Sequence, residues 1–451
     1  MESVDDDDFS INSLSEFDID EVSDREDLGL LGQPNQQLLT SATDSGKSNL
    51  WMAFMNMANS IIGAGIIGQA YALKQAGLLA GVLLLIGLSF VIDWTIRLMV
   101  TNSKLSGMKT YQSTVKQCFG RTGMFVISIA QGLFAFGGCI AFCVIIGDTI
   151  PHILRAIFPH AIDHPASKFF TGRLSAIVFC VIGISYPLSL NRNIASLAKA
   201  SALALVSMAL ITLTVVIRGP QVAPDDAHLS ARLLTLNTNF FQAVSIISFA
   251  FVCHHNTLLI YNSLKTPTLN RFAKVVHWSV GVSAVCCLAL GVSGFLSFKN
   301  QTESNVLNNF PGNDIMANIA RFCFGFNMVT TLPLEIFVCR SVLGEYLFKE
   351  EMPTIYHFAI TTALILATTG ISLLTCDLGV ILELVGASAA CTMAYILPQM
   401  CFLKLSAKPK YDWEKVACYI CITFGVIVML LSTVMTLRHM NSGAHKTCPS
   451  W

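Results

Sequence analysis

The chain has 451 residues, 53% of them hydrophobic and 12% charged, with a mean hydropathy of +0.62. Soluble domains carry about 25% charged residues, so a soluble globular protein is excluded and an all-α polytopic membrane protein is expected. The formal net charge of zero hides an asymmetry: residues 1–47 hold 13 acidic residues against Arg25 and Lys47, and the rest of the chain holds 15 acidic against 26 basic.

Residues 1–47 contain Asp5-Asp6-Asp7-Asp8 and no apolar periodicity, the signature of a disordered acidic tail. The segment does not start basic and turn apolar, so it is not a signal peptide. Within it, Glu26-Asp27-Leu28-Gly29-Leu30-Leu31 fits an acidic dileucine sorting pattern, which favours endosomes or lysosomes over the plasma membrane. Residues 48–436 form the membrane domain, and 437–451 a short extracellular or lumenal tail.

Apolar runs near the ~20 residues needed to cross a bilayer fall at 50–72, 77–101, 123–147, 174–190, 197–217, 239–262, 275–297, 316–338, 356–375, 378–403 and 415–436. That predicts eleven spans, the fourth short and polar-ended. Eleven suggests two inverted five-helix repeats plus one extra helix, and such repeats break their first helices at the midplane. The first and sixth spans should therefore both be broken.

The first span carries Asn59-Ser60-Ile61-Ile62-Gly63-Ala64-Gly65-Ile66-Ile67-Gly68. Each interior glycine costs roughly 1 kcal/mol of helix stability, and a broken helix in lipid is tolerable only where it is buried in protein or lines a cavity. The GxGxxG match is not a dinucleotide site, because apolar sequence runs on both sides of it and no soluble strand and helix flank it. Close packing of small residues is the plainer alternative. Asn59 argues for more, since an amide at membrane depth needs a partner.

The sixth span gives way in its middle to His254-His255-Asn256, after Phe249-Ala250-Phe251-Val252-Cys253. It reads as a cavity wall with a polar floor, or as interfacial histidines capping a short helix. The eighth span has Asn327, Thr330, Thr331 and Pro333. Residues three and four apart share a helix face, and proline frees a backbone carbonyl. Neutral oxygens of this kind suit a weakly held monovalent cation; alternatively the hydroxyls bond back to their own helix.

Ionisable residues in or near spans are functional candidates. Asp93 and Arg97 are four apart and should pair. Asp148 sits near a span end, Glu335 and Arg340 lie near an inner boundary and should be solvated, and Glu383 is the deepest candidate for a proton relay. The 15 cysteines fall mostly in apolar spans, where Cys acts as a small hydrophobe, so no disulfide framework is expected. Cys418-x-x-Cys421 should be packed or lipid-facing, and Cys448 has no evident partner.

With the N-terminal tail in the cytosol, the inner loops hold fifteen Lys and Arg and the outer segments ten, the sign the positive-inside rule requires. The same orientation places the sequon Asn300-Gln301-Thr302 on the glycosylated side and the C-terminus outside.

Taken in order, several pieces resemble the sodium-coupled neutral amino acid transporter family of the amino acid/auxin permease superfamily. They are the Asn59–Gly68 string with Tyr71-Ala72-Leu73, Thr110-Tyr111 with Phe119-Gly120, and Phe249 to His254 with Ile260-Tyr261. Further along come Thr331-Leu332-Pro333 with Ile336-Phe337, and Gly386-Ala387-Ser388-Ala389-Ala390 with Ile396-Leu397-Pro398. The resemblance spans about residues 48–436. It implies the eleven-helix fold of the bacterial leucine transporter. It implies a small neutral amino acid held by Asn59, Gly63, Ala64, Gly65, Phe249 and Cys253. It also implies sodium contacts at Asn59, the Ile62 carbonyl, and Thr330 or Thr331. Three features depart from the family: His255-Asn256 replaces a proline-acid pair, Glu335 stands at a usually apolar position, and the loop after the fifth span lacks cysteine.

Together these point to a secondary active transporter, with Na+ as coupling ion and no other cofactor. Proton coupling or sodium–proton exchange through His254, His255 or Glu383 is the near alternative. A sensor docking a cytosolic partner on its acidic tail is the distant one. No nucleophile–base or metal-ligand cluster indicates an enzyme, and the lipid bilayer, not nucleic acid, is the expected surroundings.

Overall fold

The computed structural model describes residues 48–158, 172–192, 201–230, 234–348, 352–409 and 411–441. The acidic tail, its dileucine pattern and Cys448 lie outside the described residues. Among the described residues there is no strand, and ten helices are long and apolar enough to cross a membrane. These are Leu50–Ala76, Leu78–Ser106, Tyr111–Ile157, Ala204–Gln221, Phe240–Ser263, Leu269–Gln301, Ile315–Leu347, Thr354–Leu374, Leu378–Leu405 and Trp413–Asn441. The apolar helix Arg173–Ser189 stands in fourth place and is shorter than the ~20 residues of a full crossing. The expected eleven are thus ten clear spans and one short helix.

Helix starts follow local chemistry. Asn49, Thr110, Thr268 and Asp314 each accept, through the side chain, a backbone N–H of the turn that follows. Asp377 does the same for Gly379 N at 2.9 Å, which makes the tight join between the ninth and tenth spans a helix start. Such caps contribute about 1 kcal/mol each. Helix Tyr111–Ile157 is bent at Gly120, so a short leading helix precedes the third span.

The first and sixth spans are antiparallel and stapled at both ends. At one end Ser48 N donates to Ser263 O and Lys265 N to Ser48 O, at 3.1 and 3.2 Å. At the other, Asn237 N donates to Ala76 O at 2.8 Å and Asn239 Nδ2 to Gln75 Oε1 at 2.8 Å. The sixth span is the most enclosed, with 83% of its apolar window buried, whereas the C-terminal span has 28%. The bundle is therefore built around the sixth span, with the extra helix at its rim.

Polar groups inside the bundle mostly find partners, as burial requires. Asp93 pairs with Arg97 at 2.9 Å, as expected, and also with His277 at 2.7 Å. Asp148 pairs with Arg173 at 2.6 Å and accepts from Asn305 and Asn308, each at 3.2 Å. Cys418 and Cys421 are buried, and Cys421 Sγ accepts from Gln399 Nε2 at 3.4 Å, so this pair is packed. Thirteen of the described cysteines are free, while Cys376, between the ninth and tenth spans, is disulfide-bonded.

Candidate functional site

The first span is broken where its glycines predict. The α-helix ends at Ile62, Gly63 takes φ 22° and ψ −141°, and a 3-10 turn, Ala64–Gly68, leads into helix Gln69–Ala76. A residue with a side chain is strained at that φ, so the break belongs to Gly63. Gly65 has a different task. A Cβ placed there would lie 2.4 Å from both Cα and Cβ of Ala250 on the sixth span. The space a side chain would take is filled by Ala250, and the two spans touch closely there.

The sixth span is broken opposite. Helix Phe240–Phe251 stops, Val252 is extended, Cys253 is non-helical, and helix His254–Ser263 resumes. His254 is 0% exposed and its Nε2 lies 3.0 Å from Thr95 Oγ1 on the second span, so the interfacial-cap alternative fails. Asn256 Nδ2 donates to Ser60 Oγ at 3.0 Å and contacts His255 Nε2 at 3.0 Å, bridging the two breaks. Phe134 of the third span packs against Phe249 (5.3 Å between centroids) and His255 (5.1 Å). Cys253 is buried with its sulfur 3.9 Å from Thr257 Oγ1. The Nδ1 atoms of His254 and His255 are buried without a hydrogen-bond partner.

In the eighth span, Thr330 Oγ1 donates to the Phe326 and Asn327 carbonyls at 3.1 and 3.0 Å, and Thr331 Oγ1 to Asn327 Oδ1 at 3.1 Å. Both hydroxyls thus donate within their own helix. Ile62 is buried; no hydrogen bond among the described residues joins it, or the Asn59 side chain, to the eighth span. Glu383 is 1% exposed; its Oε2 accepts from Gln242 Nε2 and Thr436 Oγ1, both at 2.9 Å, tying the tenth span to the sixth and the C-terminal one. Arg340 is not solvated as expected: its guanidinium donates to Ser189 O at 2.8 Å and Thr361 Oγ1 at 2.9 Å. Glu335 is likewise drawn into the bundle, with a buried carboxyl oxygen.

Two antiparallel spans broken at one level are the architecture the repeat predicts. The family model described as transmembrane amino acid transporter protein matches residues 46–438. The chain belongs to the transmembrane amino acid transporter family. The vacuolar amino acid transporter 2 of Saccharomyces cerevisiae is 47% identical over 410 residues, 88% of this chain and 85% of the relative. The "Putative sodium-coupled neutral amino acid transporter 11" of Danio rerio is 39% identical over 412 residues, 89% and 90% of the two chains. Among solved structures, MhsT in complex with L-phenylalanine is similar with a TM-score of 0.54 at 12% identity, covering 87% of this chain and 99% of that one. A mutant manganese transporter of Eremococcus coleocola gives 0.58 at 12% identity, covering 91% and 93%. These two share the fold, that of the bacterial leucine transporter, and relatives named as transporters set the function class as transport of amino acids across a membrane.

In this family member, sequence reasoning passed over Gln69. Its Nε2 donates to Gly65 O at 2.9 Å, capturing a carbonyl at the break, while its Oε1 is buried and unpartnered. The available signal was an amide at membrane depth just after the glycine string. Asn300 is exposed in the 3-10 turn Lys299–Gln301 that ends the seventh span, its Oδ1 accepting from His228 N at 2.9 Å. Asn300→Gln is expected to remove an endoglycosidase-sensitive shift on a gel. A shift that survives the substitution, or a tail reached by antibody in unpermeabilised cells, would invert the orientation.

Proposed function

We propose that this transporter moves a small neutral amino acid together with sodium by alternating access, the substrate lying between the breaks of the first and sixth spans. The observation that carries this reading is the meeting of the two breaks, with Gly65 against Ala250 and Ser60 against Asn256. The turn that starts after Gly63 presents backbone N–H groups and a positive dipole end to a carboxylate. The extended backbone at Val252 offers a carbonyl acceptor to the ammonium group, while the Cys253 carbonyl already accepts from Asn256 N and Thr257 Oγ1. Sodium would take the Asn59 amide, the Ile62 carbonyl and the Thr330 or Thr331 hydroxyl, and by binding one arrangement better would shift the equilibrium between the two. The sodium-coupled name of the Danio rerio relative supports this ion and substrate class, and the vacuolar name of the yeast relative supports an endomembrane location.

Proton coupling through the sixth-span histidines is favoured by the unpartnered Nδ1 atoms of His254 and His255. Glu383 is favoured less, because its buried oxygen already holds two donors. A panel of radiolabelled amino acids in proteoliposomes, with and without a sodium gradient, separates the readings. Concentrative uptake of neutral amino acids only with inward sodium is expected. Uptake indifferent to sodium but driven by a pH gradient rejects the sodium assignment, and no uptake of any amino acid rejects transport.

A further inference from the structure

The site above leaves one intramembrane acid unused. Glu335 sits in the eighth span four residues after Thr331, and so shares its face. A Cβ on Gly138 of the third span would lie 3.9 Å from Glu335 Cγ, Cδ and Oε2. The carboxyl therefore rests over a bare patch of the third span. Its Oε2 is sealed from solvent and has no hydrogen-bond partner among the described residues, while the side chain as a whole keeps some accessible surface. The other buried acids in the spans are compensated: Asp93 by Arg97 and His277, Asp148 by Arg173, and Glu383 by Gln242 and Thr436.

Among the described residues, no hydrogen bond or ion pair supplies the carboxyl with a counter-charge. The thiol of Cys139 on the third span lies within electrostatic reach of the carboxyl, and Cys339 follows one turn later on the same helix, its Sγ donating to Gly132 O at 3.7 Å. Arg340 is committed to Ser189, Asn191 and Thr361. From the fourth helix, Tyr186 Oη is bonded to Thr362 Oγ1, and from the ninth span, the His357 ring to Leu190 O. The fifth span has no titratable residue before Arg218, which pairs with Asp314 at 2.7 Å. On the third span, Phe134 lies one turn from Gly138 and packs against His255. The carboxyl thus opens on the same wall as the sixth-span break.

An ionised carboxylate with a sealed oxygen and no partner is strongly disfavoured. A carboxylic acid in the same place does not carry that charge. We propose that Glu335 is a proton-binding site of this transporter, taking up one proton before the bundle closes and releasing it where the carboxyl next meets water. The step is a simple exchange: the carboxylate gains a proton from one compartment, becomes neutral, and gives it up to the other. Proton and amino acid are then linked, because each favours the arrangement in which the other is enclosed. The proposal rests on the transport reading for its cycle, though not for the protonation itself.

Two measurements on the full chain test it. Infrared difference spectra of the purified protein, titrated from mildly acid to neutral pH, should show a carboxylic C=O band that Glu335→Gln removes and Glu335→Asp shifts. In proteoliposomes with a trapped pH dye, substrate addition should move protons, and Glu335→Gln should reduce that movement about tenfold or more, a coupling of ordinary size, with Glu335→Asp restoring it in part. A titrating band unchanged by Glu335→Gln, or proton movement equal to that of the unmutated protein, overturns the proposal. So does a Glu335→Gln protein that keeps its proton movement but stops taking up lysine or arginine, because the carboxylate then pairs with a cationic substrate. If the unmutated protein transports no amino acid, the transport reading fails and the infrared titration alone decides the proton site.

Discussion

Gly65→Val is expected to abolish uptake while leaving the protein inserted, and Gly65→Ala to impair it severely. The methyl group of alanine alone would stand 2.4 Å from Ala250 Cα. Overpacking a core by a methylene or so typically costs about 1–3 kcal/mol, and here the obstacle is backbone, which cannot swing aside as a flexible side chain can. The cost falls on the contact that holds the two breaks at one level. Ala250→Gly should not rescue Gly65→Ala, since it removes only Ala250 Cβ and leaves Cα at the same distance. Gly87→Ala is the control, because a Cβ there meets nothing within 4 Å. Uptake measured against membrane abundance decides it. Normal uptake by a well-inserted Gly65→Val protein would mean that the breaks need not touch.

Much of this was legible in the chain because membrane-depth sequence is a demanding code. A glycine string inside an apolar run has few explanations, and inverted-repeat logic carried it from the first span to the sixth. What escaped was set by distant neighbours. Nothing near Gly65 names Ala250 as its partner, and nothing near His255-Asn256 shows that this departure from the family pattern reaches across to Ser60. Glu335 and Arg340 were misplaced for a simpler reason. The apolar run fades near residue 338, but the helix continues to Leu347, so both residues lie more than a turn inside the end rather than at it. The fourth helix shows the reverse: its run is short and polar-ended, and the helix found there is short as well.

The proposed sodium site has the test with the second-largest expected effect. Thr331→Ala removes a hydroxyl but preserves the helix, and should raise the sodium concentration for half-maximal uptake more than it raises the substrate KM. Losing one neutral oxygen ligand should cost about 1–3 kcal/mol, the scale of one lost polar partner, or roughly five- to 150-fold in affinity. Thr330→Ala should do less, since that hydroxyl donates to two carbonyls of its own turn. Thr331 donates instead to a side-chain oxygen, Asn327 Oδ1, and is not tied to the backbone of its own turn. Asn59→Ala should reproduce the sodium phenotype. The double substitution carries the argument. Asn59 has no hydrogen bond to the eighth span among the described residues, so without a shared ion the two losses should add. A combined loss clearly smaller than the sum of the two requires something between them, and an ion touching both is the economical bridge. Strict additivity, with uptake that follows pH and ignores sodium, would instead leave the cycle to protons, and His254→Ala would be the next protein to make.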